Sequence, residues 1–363
     1  MQRSNGHSEF EERRSRLGPV LGEERVPALL VTARPNVQYL SGFTGSNGVA
    51  LILPERAILF TDPRYATQAP QQSDCEVVVA KGPLLSEVGK WAKRLKLYAL
   101  AFEQNRISFE EFTQLKTVLP GVRLKPVSGA VEQLRMHKSA SEIGTIRASV
   151  RLNSIALEQA LEQFHADMTE VDLAAEIEYR MRLLGADGTA FETIVASGAR
   201  TALPHAHPTN HPIQSNQLLL VDMGASVAGY ASDMTRTHAL GKLNARTRRM
   251  YKAVLESQLA AIDVVKPGVT CAAVDRAARN VLREYGLESF FIHSTGHGLG
   301  LEIHEGPRVG RKEKTKLQPG MVITIEPGVY QEGLGGIRIE DTVLVSERGC
   351  EVLTPTGKEL VVL

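Results

Sequence analysis

The sequence predicts a mixed α+β protein of two domains, a smaller α/β domain over residues 1–135 and a larger one over residues 136–363. Three observations predict it. The 363 residues suit two domains at roughly 150 residues each. The first third alternates short apolar runs with helix-like stretches, the pattern of an α/β layer. Near residue 135 the character changes to a long charged, amphipathic stretch, and the strand signals beyond it are widely separated in sequence.

In order, VPALLVT (26–32), VALILP (49–54), AILF (57–60), CEVVVA (75–80) and LYALAF (97–102) read as strands, being short apolar runs bounded by turn-forming residues. PRYATQAPQQ and LLSEVGKWAKRL lie between them and read as helices. The stretch from VEQLRMHK to LEQALEQF reads as helical, with Ser139 or Ser141 as its cap, both good N-cap types. A second helix follows Thr169, over 169–184. FETIVASG, NQLLLVDMG and YASDMTRTHAL are strand signals, two helices fill 243–287, and MVITIEPGVY and GIRIEDTVLV close the chain as strands.

Composition excludes several classes. A net charge of +1 offers no general attraction to nucleic acid or an anionic membrane. Cys75, Cys271 and Cys350 are odd in number and far apart, which argues against a disulfide framework or a thiolate metal site. The N-terminus MQRSNGHSEFEERRSRL is polar, without an apolar signal core. No apolar run reaches the roughly 20 residues that span a bilayer. A cytoplasmic protein is expected.

The stretch HSTGHGLGLEIHEGP places His293, His297 and His304 close together. It is not a zinc-peptidase helix, which needs His-Glu-x-x-His, because Gly306, Pro307 and Arg308 follow His304 and Glu305. If metal binds here, other ligands lie elsewhere. LLLVDMGASVAGYASDMTRT carries Asp222 and Asp233. A hairpin turning near Ser226–Gly229 would set these two carboxylates side by side, where they repel without a cation. TIEPG places Glu326 after an apolar run, and GIRIED alternates Ile337 and Ile339 with Arg338 and Glu340. Four carboxylates and one imidazole carry −4, which two divalent cations neutralise. Oxygen ligands with one histidine suit Mn, Co, Fe or Zn in a two-metal site. Taken singly, each acid reads as a hydrogen-bonded or solvated group; together on apolar strands they point to metal.

At these motifs the chain resembles the metal-dependent Xaa-Pro peptidases of the pita-bread fold, which include aminopeptidase P and prolidase. VDMGASVAGYASDMTRT, HSTGHGLGLEIHEGP, TIEPGVY and GLGGIRIED match the family's blocks in order, and NVQYLSGFTGSNG and LFTDPRYATQA are similar to its N-terminal, creatinase-type domain of RNase H-like fold. The resemblance implies two divalent metal ions per chain, manganese first, with cobalt, zinc or iron as alternatives. It implies Asp222, Asp233, His297, Glu326 and Glu340 as ligands, with Asp233 and Glu340 bridging. Glu326 would accept the proton of the attacking water, and His205 and His304 would assist at the carbonyl and leaving amine. His293 would line the pocket.

Two further assignments complete the expected site. Arg338 shares a strand face with Glu340 and is expected to orient that ligand beside the substrate, while Arg308 is expected to meet a substrate carboxylate. His207 and His211 sit in a Pro-rich polar loop and read as merely exposed. The expected activity is hydrolysis of an N-terminal Xaa-Pro bond, aminopeptidase first because of the N-terminal motifs, with Xaa-Pro dipeptidase, a methionine-type aminopeptidase and a non-catalytic binding protein as alternatives. Partners are peptides with proline second, with no nucleic acid and no membrane. The uncharged, glycine-rich SGFTGSNG and the resemblance together suggest a homodimer.

Overall fold

The computed structural model describes residues 8–165 and 167–363, so the first seven residues of the polar N-terminal stretch lie outside the described residues. The chain divides into two compact units, Met1–Arg135 and Met136–Leu363.

The N-terminal unit is built on a six-stranded mixed sheet. Its spatial order is Glu76–Val79, Arg56–Thr61, Gly48–Leu53, Leu29–Val31, Ala99–Glu103 and Arg123–Val127. The apolar runs expected as strands form the first five. The sixth, RLKPV, lies at the edge with only Val127 buried, so it carries no apolar run to announce it, and Pro126 is tolerated because an edge strand needs fewer ladder donors. Helix Leu84–Arg94 buries Leu85, Val88, Trp91 and Ala92, a spacing that puts them on one helical face. They pack with Leu30, Leu51, Ile58 and Leu100 of the sheet.

The long helical stretch is broken in two: Ala130–Arg135 closes the N-terminal unit and Ala140–Glu162 opens the C-terminal one. The break is local chemistry. Ser139 caps the second helix, its side chain accepting from Glu142 N while the Glu142 side chain accepts from Ser139 N, a reciprocal capping box. Thr169 and Asp172 make the same device before Glu170–Leu183. These two helices lay Ala156, Leu157, Leu173 and Ile177 against Val195, Leu219 and Val221 of a three-stranded sheet. Helices Ala245–Asp263 and Cys271–Glu284 cover a second core containing Ile323, Ile325, Ile337 and Val343. Helices thus flank strands drawn from distant parts of the chain, and the polar site is built among the strands.

His238, on strand Met234–Leu240, is a buried exception. Neither ring nitrogen has a hydrogen-bond partner, and burial first, then the Arg236 guanidinium, pushes its pKa down to about 4. The unfolded chain therefore binds this proton more tightly, so stability is lost as pH falls from about 6.5 toward 4. The loss reaches up to about 3 kcal/mol at 1.36 kcal/mol per pKa unit. In urea unfolding, the stability difference between His238→Leu and the unaltered chain is expected to move in the variant's favour across this window. A difference independent of pH would exclude the assignment.

Among the described residues no helix is long and apolar enough to cross a membrane. Cys75, Cys271 and Cys350 are all free thiols.

Candidate active site

Strand Gln217–Met223 is buried on both faces. Leu219, Val221 and Met223 face the helices, so by the strand's period of two Asp222 points the other way. The adjoining strand turns back through Ala228 and Gly229, both at positive φ (48° and 81°), which pairs Ser226 with Ala231. Asp222 then lies opposite Thr235, and Asp233 occupies the gap between strands Tyr230–Ala231 and Met234–Leu240.

The other two acids also sit at breaks. MVITIEPGVY is two strands, Val322–Ile325 and Gly328–Gln331, and GIRIEDTVLV is Gly335–Arg338 and Asp341–Val345. Glu326 and Glu340 fall in the interruptions. Pro327 has no N–H to extend the ladder, and the two acids bond across instead, Glu326 N to Thr295 O at 2.7 Å and Glu340 N to Thr235 O at 3.1 Å. Continuous strands were expected here; the acids instead occupy the places where one sheet hands over to the next.

His297 belongs to the short strand Gly296–Gly298. A Cβ on Gly296 would lie 1.9 Å from Thr324 O, and one on Gly298 2.0 Å from Gly306 O. Only glycine lets the backbone pass here, which explains the glycine spacing of the histidines. His297 Nδ1 lies 3.0 Å from Gly298 O. A carbonyl only accepts, so Nδ1 carries the proton and Nε2 presents a lone pair. That lone pair faces Asp233 Oδ2 at 3.5 Å and Glu326 Oε1 at 3.6 Å. Asp233, His297 and Glu340 each offer a ligand atom within 4.8 Å of the others.

All five expected ligands line one cavity of about 580 Å³, together with His205, His293, His304, Arg308 and Arg338. Its floor is crowded with acids. Burial first, then Glu340, Asp222 and Glu326, hold the Asp233 carboxyl well above the usual carboxylate range. Burial also lifts Glu326 to about 8, against the pull of Arg338, with Asp222 adding to the rise. Glu340 is raised by burial, then by Glu326 and Asp222. Asp222 Oδ1 is buried with no hydrogen-bond partner. Such an oxygen costs about 1–3 kcal/mol, and more when charged. A cation satisfies the orphan oxygen, the imidazole lone pair and the crowded acids together, so the donor set fits hard divalent metal.

The remaining expectations fare differently. His205 and His304 are exposed, and His304 meets the His297 ring edge-on with centroids 4.4 Å apart. Neither has a hydrogen-bond partner among the described residues. His293 is committed: Nδ1 lies 2.8 Å from Ser294 O and Nε2 lies 2.9 Å from Tyr330 OH. By the same reasoning Nδ1 donates and Nε2 accepts the tyrosine hydroxyl, which spends both nitrogens. Arg338 does not bond Glu340. It donates to Asp222 Oδ2 at 2.6 Å, Tyr330 OH at 2.7 Å and Thr235 Oγ1 at 3.0 Å, while Glu340 accepts from Thr235 Oγ1 at 2.6 Å. The two share a side of the chain, but the strand break between them turns the guanidinium to Asp222.

His207, read as merely exposed, is exposed but also lines the cavity and pairs with Glu192 at 2.9 Å. Sequence reasoning missed Tyr330, which joins His293 to Arg338; its signal was a tyrosine four residues after Glu326 in TIEPGVY. It also missed Ser294, whose Oγ accepts from Arg308 Nε at 2.7 Å.

A cavity floored by acids and one pre-oriented imidazole defines the class, a metal-dependent hydrolase. Residues 144–347 match metallopeptidase family M24, and residues 13–137 match the creatinase/prolidase N-terminal domain. The chain belongs to metallopeptidase family M24, whose members depend on divalent metal, and has the pita-bread fold behind a creatinase-type domain. It is 36% identical over 342 residues to an Xaa-Pro dipeptidase of Pyrococcus horikoshii, covering 94% of this chain and 96% of that one. Among solved structures, an Xaa-Pro dipeptidase from Bacillus anthracis matches with TM-score 0.95 and 38% identity, covering 98% of this chain and all (100%) of that one. An X-Pro aminopeptidase from Thermotoga maritima matches with TM-score 0.90 and 37% identity, covering 96% and 100%.

Proposed function

We propose that this chain is a two-metal Xaa-Pro dipeptidase. The observation that carries the reading is Arg308. It lines the cavity that holds the acids, its Nε is anchored on Ser294 Oγ, and its terminal nitrogens make no hydrogen bond or ion pair among the described residues, with Glu313 only a more distant charge. A guanidinium fork held this way suits the carboxylate that follows proline in a dipeptide. The N-terminal motifs had favoured the aminopeptidase. The relatives named as dipeptidases and the placement of Arg308 reverse that order, with the Thermotoga likeness keeping the aminopeptidase as the rival.

Asp222, Asp233, His297, Glu326 and Glu340 would hold the metals, with Asp233 and Glu340 shared between them. When bound, two divalent ions polarise the scissile carbonyl and make water a stronger acid. Glu326 is assigned to take the proton, and His205 and His304 to bind the carbonyl oxygen and the departing nitrogen. Proline supplies no N–H, and nothing here asks for one. Phe191, Ile194 and Ile303 line the cavity and would receive its ring. Arg338 and Tyr330 act on Asp222 and His293 rather than on substrate. Manganese as the resident metal, a homodimer and a cytoplasmic location belong to the same reading. They are checked by metal analysis of the purified protein, light scattering at micromolar concentration, and fractionation.

The test compares kcat/KM for an Xaa-Pro dipeptide and an Xaa-Pro-Xaa tripeptide in excess Mn²⁺. The tripeptide is expected below about one hundredth of the dipeptide, a gap of roughly 2.7 kcal/mol. Equal rates would return the aminopeptidase reading. Failure on both, with cleavage after N-terminal methionine, would end the Xaa-Pro assignment.

A further inference from the structure

Beyond Arg308 lies a second cavity, of about 590 Å³, a size ordinary for ligand sites. The two cavities share His293, Ser294 and Arg308 in their linings, so the Arg308–Ser294 hydrogen bond forms part of their common wall. The charged groups of the second cavity are unevenly committed. Arg279 is bound to Asp275 and to the Phe291 and His293 carbonyls. Glu288 is paired with Arg283 at 2.8 Å and lies 3.6 Å from Arg311. Glu313 accepts from Thr315 N and Oγ1. Lys312 has no partner among the described residues. Ile292 supplies an apolar face, 69% exposed.

We propose that this second cavity is a further substrate subsite, which takes the third residue of an Xaa-Pro-Xaa tripeptide. Lys312 receives its terminal carboxylate, and Arg308 is the partition that sets peptide length. The proposal rests on the dipeptidase reading and deepens it. One more residue lengthens an extended peptide by about 3.5 Å, which carries the carboxylate past the guanidinium that would otherwise hold it. The cation surplus supplies a second place for that charge, and Ile292 a surface for an apolar third side chain. With Arg308 in place the dipeptide is preferred, because its carboxylate pairs with a guanidinium already fixed by Ser294. A longer peptide must displace that group.

The test uses the full metal-loaded chain and three peptides, Ala-Pro, Ala-Pro-Leu and Ala-Pro-Leu-amide. The readout is the ratio of tripeptide to dipeptide kcat/KM. Arg308→Ser is expected to raise this ratio by about thirtyfold or more, because the dipeptide loses its charge partner while the path to the second cavity opens. In that background, amidating the tripeptide or adding Lys312→Glu should lower tripeptide turnover by about tenfold, the scale of one charged hydrogen bond. Lys312→Glu alone should lower the ratio further from its already small value. In the Arg308→Ser background, an amide cleaved as fast as the free acid, or a tripeptide rate that Lys312→Glu does not lower, would overturn the proposal while leaving the dipeptidase reading intact; an unchanged ratio in Arg308→Ser would overturn the proposal together with the role given to Arg308. Failure of the unaltered chain on Ala-Pro would instead overturn the reading on which the proposal stands.

Discussion

Asp233→Asn is expected to drop bound metal well below two ions per chain and to cut kcat/KM by at least about a hundredfold, since groups that only support ligands already cost 10–100-fold. Asp233 is central to the cluster by geometry. Its Oδ2 lies 3.5 Å from His297 Nε2, it belongs to the group that includes Glu340, and the charges of Glu340, Asp222 and Glu326 all bear on it. The amide keeps the shape but removes one negative charge and replaces one acceptor oxygen with a donor. Elemental analysis after dialysis reads the first effect and steady-state kinetics the second. Metal content near two with full activity would remove Asp233 from the site.

The second large effect separates two histidines whose rings touch. His304→Ala is expected to lower kcat by about 10²-fold, the lower end of lost acid–base help, with metal content unchanged. His297→Ala is expected to lose metal as well. The division rests on placement: His297 turns a lone pair toward Asp233 and Glu326, while His304 is exposed and meets His297 only ring to ring. His205→Ala should behave as His304→Ala does. Metal loss in His304→Ala, or metal retention in His297→Ala, would reverse the assignment.

Most strands were legible because burial on both faces leaves continuous apolar runs, as in NQLLLVDMG and MVITI. The breaks were not. Nothing in the alternation of GIRIED announces that the strand stops at Arg338, because the Glu340 N–H is taken by a long-range bond to Thr235 O. For the same reason the partner of Arg338 was misread: strand periodicity gives a face, not the residue that another sheet delivers to that face. The four acids and the imidazole stood out because buried charge is costly and therefore conspicuous among apolar neighbours. Tyr330 was not, because a tyrosine in an apolar strand reads as packing until its hydroxyl is seen between His293 and Arg338. The edge strand Arg123–Val127 was invisible for the opposite reason, being too polar to stand out.

Asp222, Asp233, His297, Glu326 and Glu340 are proposed to hold two metal ions. The most direct measurement is anomalous scattering at the manganese edge from crystals grown with Mn²⁺. Two peaks are expected in the cavity, both touching Asp233 and Glu340, with His297 on one of them and no contact to His205, His293 or His304. A single peak, or a peak held by His293 or His304 in place of His297, would contradict this assignment.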